Sequence, residues 1–574
     1  MLKGIQWNLE TIYPLPDSPQ IYKEIELLKK LIDNLKIILE SSDKELEKVD
    51  NNGKIKQIIS EYEKIIQINR KLQAYVTCIL STDSKNEQAH KMKGILYQIN
   101  SSLHLLNIKI EKLIFESKID IPEYSHFLKQ LVENYEHRMS NEKEELYSSL
   151  YVSSSSEWKT LYNELISNIK VQFEDKIISI SQLRNYYNNP EREIRKKAYE
   201  KEIEIFSENE YIFARILNSV KWDSIVISKN RKFNSVLEQS LFYNQIDKEI
   251  LDIVLNTSFE NLNKFQRYFN KKAQILGLEK LDWFDLSAPL FWDKIEKFEF
   301  HKAKEFILEN FSGFSDELYK MAWTAFNYNW IDTEPRLGKT DGGFCIYVHN
   351  NESRILVNYD DSIKSVLTLA HELGHAYHNW VMSENTPIYR HSPLILAETA
   401  SILAETITRR NAIKNSENKY VQAYILDGYL YTASVVVVDI ISRFLFEDKI
   451  INIRKERILT PKELCSIMLD SQKEVYLDSV NSYHPYMWAN KPHYYSSNYY
   501  NYPYLVGLLI GLALYNLYEK GNITSRDYRD ILKNTPKDKP ERILKVLGID
   551  LKSPDFWQGA FEPIEDDIRE FEKI

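Results

Sequence analysis

Cysteine is nearly missing from this chain: Cys78, Cys345 and Cys465 are the only three in 574 residues. Their odd number and wide spacing exclude a disulfide framework, fit a reducing compartment and leave any bound metal to nitrogen and oxygen donors. Met1–Glu10 carries Lys3, Asn8 and Glu10 but no apolar core, so no secretory signal is visible and a cytoplasmic address is expected. No run of roughly twenty apolar residues exists. The two greasiest stretches, Thr432–Phe446 (interrupted by Asp439 and Arg443) and the short Tyr504–Tyr518, predict buried helices rather than membrane spans. Positive charge is not in excess either: a net charge of -9 argues against nucleic acid as a partner.

What is present is a long, helix-rich chain. From about Ser18 to Ile250 apolar residues recur at three and four among Glu, Lys and Asn, as in Ile21, Ile25, Leu28, Leu31 and Ile32, and few glycines interrupt them. That pattern predicts a succession of helices. The texture changes between Asp332 and Asn358, where Pro335, Gly338, Gly342 and Gly343 punctuate the β-prone runs Phe344–Val348 and Arg354–Val357. A small hairpin is expected there.

Directly after it comes His371-Glu372-Leu373-Gly374-His375. Asp361 or Ser362 can cap a helix whose apolar positions, Ile363, Val366, Leu367, Leu373, Ala376, Trp380 and Val381, keep a 3.6 period through the motif. On such a helix two histidines four apart converge, and the pair can grip one zinc ion with Glu372 beside them. Gly374, which costs about 1 kcal/mol inside a helix, implies that another backbone approaches closely. A catalytic zinc needs a third protein ligand and an open position. The segment Leu394–Arg410, opened by Ser392-Pro393, carries Glu398 and Glu405 seven apart among Ile395, Leu396, Ala400, Ile402 and Leu403, which leaves little face for solvated charge. Glu398 is therefore read as the third ligand, with Glu405 orienting a ligand imidazole. His378 is read as a packing or hydrogen-bonding residue behind the ligands, and His349 and His391 as loop residues near the site, with His391 the runner-up ligand. Cys345 is more often the buried, inert kind of thiol than a reactive one.

A second constellation spans Tyr483 to Tyr504, where 22 residues hold eight tyrosines together with His484 and His493. The chain average would place one or two tyrosines there. The excess reads as a polar aromatic loop able to donate hydrogen bonds to a developing oxyanion.

With His371–His378, the Ala397–Glu405 segment and Pro492-His493-Tyr494-Tyr495 in view, the chain resembles oligoendopeptidase F, within the thimet-oligopeptidase-like zinc metallopeptidases. Trp7–Glu10 with Ile12-Tyr13, and Gly338-Lys339 through Gly343-Phe344-Cys345, are similar to that family's opening and pre-motif hairpin. The resemblance implies a mainly α fold with two helical lobes enclosing a deep substrate channel and a small β hairpin next to the metal helix. It divides the chain into an N-terminal helical region, 1–190, and a catalytic domain, 191–574. One Zn2+ per chain on His371, His375 and Glu398 is implied, with Glu372 as general base. A substrate-binding histidine falls on His493 and substrate tyrosines on Tyr495, Tyr499 and Tyr502, with Ser496-Ser497-Asn498 leaving their register open by one residue. Tyr502 with His493 is assigned to the oxyanion, and Phe344 with its strand to the peptide backbone. Ser442-Arg443-Phe444 departs from the family's pattern, which leaves Arg443 without an assigned role. The expected activity is hydrolysis of short unstructured peptides. The alternatives are a catalytically silent peptide-binding scaffold and an interaction protein with structural zinc. No group that would anchor a peptide terminus is identifiable in the sequence.

Overall fold

A computed structural model describes residues 5–45 and 51–574, so only Ile5–Glu10 of the segment read for a leader is covered. The protein is mainly helical, with a two-stranded and a three-stranded sheet among the described residues. Its contacts divide it into two discontinuous units: residues 1–137, 296–411 and 521–547, and residues 138–295, 412–520 and 548–574. This partition does not follow the sequence boundary expected near residue 190.

The first unit opens with helices Pro19–Glu45, Asn51–Thr82 and Glu87–Ser117. Ile21, Ile25, Leu28 and Ile32 are buried in their shared core, and Leu31 packs at its margin, as the 3.6 period requires. The predicted hairpin is present as β4 (Phe344–His349) antiparallel to β5 (Glu352–Leu356), and β3 (Ile331–Asp332) adds a short parallel strand on the other side of β5. β4 is thus an edge strand. Lys339, anchored to Asp332 at 2.8 Å and to the Val357 carbonyl at 2.8 Å, ties the β3–β4 connection down. The helix Ile363–Met382 packs across β4 and β5. Ser362 caps it, its hydroxyl accepting from Ser365 N at 3.1 Å, and of the two candidate caps it is the one used.

The second unit contains the 39-residue helix Arg192–Asn230, and the helices Tyr502–Glu519 and Pro554–Glu572 packed on each other. It also departs from the all-helical expectation. Lys170–Phe173 (β1) and Lys176–Ser179 (β2) form a hairpin turned at Glu174 with φ of 50°. The β-branched Val171, Ile177 and Ile178 prefer this pleated pairing, and the run is too short to sustain a helix. Among the described residues only Lys419–Arg454 is long and apolar enough to cross a membrane, and 67% of its apolar window is buried inside the protein. A π-helical turn at Val435–Asp439 interrupts that helix. There Asp439 pairs with the buried Arg443, which also donates to Asn501 Oδ1 at 3.3 Å. Arg443 thereby ties this helix to the start of the helix that follows the tyrosine-rich segment.

Candidate metal centre

His371 and His375 project from one face of the helix Ile363–Met382 with ring centroids 5.0 Å apart. The carboxylate facing them comes from a segment that breaks where a continuous helix was expected. Leu394–Ala397 forms one turn, Glu398 occupies the joint, and the helix resumes at Thr399. Ser392 does not cap this turn, since its hydroxyl bonds the Pro393 carbonyl. Tyr528, on Ser525–Asn534, donates to the Thr399 carbonyl at 2.8 Å and fixes the joint.

Glu398 Oε2 lies 3.3 Å from Nε2 of His371 and 3.3 Å from Nε2 of His375. Bonds of about 2.0–2.1 Å to a tetrahedral zinc place neighbouring ligand atoms roughly 3.3 Å apart, so the donor set fits the ion without rearrangement. Among the described residues this trio is the group able to hold a metal. Its electrostatics agree. Burial works against charge on both Glu398 and the half-exposed His371, yet the two imidazoles hold the Glu398 carboxyl far below the usual range, and Glu398 and Glu405 hold His371 well above its own. The cluster concentrates negative potential where a cation would sit.

Glu405 accepts from Nδ1 of His371 at 2.9 Å, fixing the ring so that Nε2 faces the site. Glu405→Ala is expected to weaken metal binding about 10- to 100-fold, measured by competition with a chelator, because the released ring rotates freely. Unchanged affinity would remove this role.

Glu372 is buried, and its Oε2 has no hydrogen-bond partner among the described residues. Burial raises its proton affinity, partly offset by His375 and His371. Gly343 leaves it room, since a Cβ there would stand 3.2 Å from Glu372 Oε1. An orphaned buried carboxylate costs stability unless function retains it.

His378 lies one turn beyond His375, at the edge of the cavity around the metal group. Its Nε2 meets Thr535 Oγ1 at 2.9 Å, and burial, with the His375 charge nearby, pushes it down to about 4, so it is a buried, neutral, hydrogen-bonded residue. His349 belongs to β4 rather than to a loop, while Phe344, Cys345 and His391 line a cavity of about 750 Å³ that also contains the metal group. Burial pushes the Cys345 thiol well up, which leaves it unreactive at neutral pH.

In the second unit the tyrosine segment corrects the expected assignments. Tyr495 is buried with its ring stacked 3.9 Å from Tyr162, Tyr499 is buried and donates to Asp448 Oδ1 at 2.8 Å, and Tyr502 is buried against Phe444. Packing claims all three rings. Tyr483, Tyr500 and Tyr504 are half-buried; the hydroxyls of Tyr500 and Tyr504 meet at 2.7 Å, and His493 stacks 4.6 Å from Tyr500. Burial, with Arg443 and Lys491 nearby, lowers His493 to about 4 and keeps it neutral. Tyr504 lies in the first turn of the helix Tyr502–Glu519 while Tyr500 precedes its cap Asn501, so helical spacing does not disclose the pair.

The model for peptidase family M3 matches residues 185–563, and that for oligopeptidase F matches residues 107–170. The Bacillus subtilis oligopeptidase PepF is 25% identical over 595 residues, covering 99% of this chain and 87% of that protein. An oligoendopeptidase F homolog of Borreliella burgdorferi is 25% identical over 555 residues, covering 92% and 93%. The oligoendopeptidase-F structure from Enterococcus faecium superposes with a TM-score of 0.69 at 18% identity, covering 97% of this chain and 99% of that one, which shows the shared fold. The M3 match spans the paired histidines, both glutamates and the tyrosine segment in one continuous stretch, and on that ground the chain belongs to peptidase family M3.

Proposed function

We propose that this peptidase is a zinc-dependent endopeptidase that hydrolyses short, unstructured oligopeptides in the cytoplasm, with Glu372 as general base. The observation that carries the reading is a His-His-Glu donor set at tetrahedral spacing beside a buried carboxylate whose Oε2 has no hydrogen-bond partner among the described residues. His371, His375 and Glu398 would hold the ion, which when bound supplies Lewis acidity and acidifies water toward neutral pH. Glu372 takes the proton of the attacking water and returns it to the leaving amine nitrogen. Its burial favours the protonated form between those two transfers. The β4 edge offers backbone groups to an extended peptide, which gives binding that tolerates many sequences. Within the tyrosine segment, His493 with the half-buried Tyr500 and Tyr504 offers imidazole and phenol hydrogen-bond donors, in place of the packed Tyr502 first assigned to the oxyanion.

Incubation with a random peptide mixture, read by mass spectrometry, tests the proposal. Internal cleavage of short peptides is expected to stop with a chelator and return with Zn2+. Tight peptide binding without cleavage in the presence of Zn2+ would instead establish a silent scaffold.

A further inference from the structure

The cavity that contains the metal group is also lined by Arg70, from the helix Asn51–Thr82, and by Arg390, from the stretch before Leu394. Both belong to the first unit. Arg70 Nη1 donates to the Pro387 carbonyl at 3.0 Å, while Arg390 donates through Nε to the Asn385 carbonyl at 2.7 Å and through Nη1 to the Tyr347 hydroxyl at 3.3 Å. A guanidinium carries five N–H donors, so most of those on Arg70 and Arg390 remain available, and among the described residues no carboxylate pairs with either. The two like charges also act on each other. Burial lowers the proton affinity of Arg70, partly offset by the Tyr62 and Tyr347 hydroxyls, and Arg390 adds a smaller lowering. Two half-buried guanidiniums with free N–H donors at one cavity wall form a place where an anionic group gains charge-assisted hydrogen bonds.

Their place along β4 sets the distance. Gly343 borders Glu372 at the start of the strand, and Tyr347, four residues on, contacts Arg390. At about 3.4 Å per residue this is roughly 13 Å, or three to four residues of an extended peptide laid along the edge. We propose that Arg70, Arg390 and the Tyr347 hydroxyl form a carboxylate-binding subsite that selects peptides bearing a carboxylate three to four residues from the cleaved bond. The carboxylate is either the peptide's own C-terminus or an acidic side chain. The subsite supplies the terminal anchor that the sequence did not disclose. It rests on the peptidase reading only for the location of the cleaved bond.

The test uses the zinc-loaded enzyme and peptides of one sequence in matched pairs. One pair ends in a carboxylate or a carboxamide. A second, amide-terminated pair carries Glu or Gln three or four residues beyond the cleaved bond. A charge-assisted, bidentate contact is worth about 10- to 100-fold, expected in KM with kcat changed less than about twofold. A preference in the first pair identifies the terminus as the source, and one in the second identifies the side chain. Arg390→Gln and Arg70→Gln are each expected to erase the preference, read as the ratio within a pair, with Arg390→Lys restoring part of it. Binding of the tripeptide and tetrapeptide products in acid and amide forms to the zinc-loaded Glu372→Gln protein, measured by calorimetry, separates this inference from the activity itself. Acid products that bind more tightly support the subsite even if no peptide is cleaved. Equal values throughout both wild-type pairs and both product forms overturn it while leaving the peptidase reading intact.

Discussion

Glu372→Gln is expected to retain one zinc ion per chain and to lose at least about 10³-fold in kcat, with KM nearly unchanged. The isosteric amide keeps the shape of the pocket beside Gly343 but cannot accept a proton. General base catalysis contributes about 10²- to 10⁴-fold, and the same carboxylate serves two successive transfers, so the loss belongs in the upper part of that range. A 10³-fold loss corresponds to about 4 kcal/mol of transition-state stabilisation. The substitution does not cost stability. Burial raises the folded-state proton affinity of Glu372, so its contribution is fully present below the ordinary carboxylate range and is lost as pH rises through the raised value. At neutral pH the metal-free Gln variant therefore melts no lower than the parent. Elemental analysis, thermal melting and turnover of a quenched peptide check the three parts. Undiminished turnover would remove Glu372 from the mechanism.

Gly374→Ala acts on the frame rather than the chemistry. A Cβ at 374 would meet Ala400 O at 2.5 Å, Ser401 Cα at 2.5 Å and Ser401 N at 2.8 Å, all backbone atoms of the helix that follows Glu398. Alanine is the better helix former by about 1 kcal/mol, but overpacking against backbone costs 1–3 kcal/mol or more, and the clash wins. Restoring van der Waals contact requires the two helices to part by roughly 1 Å. Glu398 sits two residues from the collision, so its 3.3 Å separations from both imidazoles widen beyond tetrahedral reach. A lowered melting temperature and a loss of zinc affinity of at least about 100-fold are expected, by melting and by competition with a chelator. Parental affinity would show that the helices adjust without disturbing the ligands.

The metal centre was legible because its parts are close in sequence and its chemistry is demanding. Two histidines at helical spacing, a glycine where only a backbone contact justifies one, and two glutamates in an apolar run left few other readings. The break at Glu398 was hidden, because Leu394–Asn415 has nothing in its composition to stop a helix. The contact that accompanies it is tertiary, the Tyr528 hydrogen bond to Thr399 arriving 129 residues later. The tyrosine segment misled for a different reason. Eight similar rings in 22 residues carry no periodicity that separates packing from function, and only the folded loop before Tyr502 brings the Tyr500 hydroxyl to that of Tyr504. The hairpin at Lys170–Ser179 was lost in a helical background, as was β3, which is only two residues long.

The arrangement of the first unit in three separated stretches governs when the site can form during synthesis. Ser525–Asn534 and Thr535 lie against the metal helix, and Tyr528 holds the joint at Glu398, yet they are translated more than a hundred residues after the ligands. A nascent chain that has already exposed all three ligands still lacks the element that sets them in place. Competence therefore arrives only when synthesis is nearly finished, which keeps an unfinished protease from acting at the ribosome.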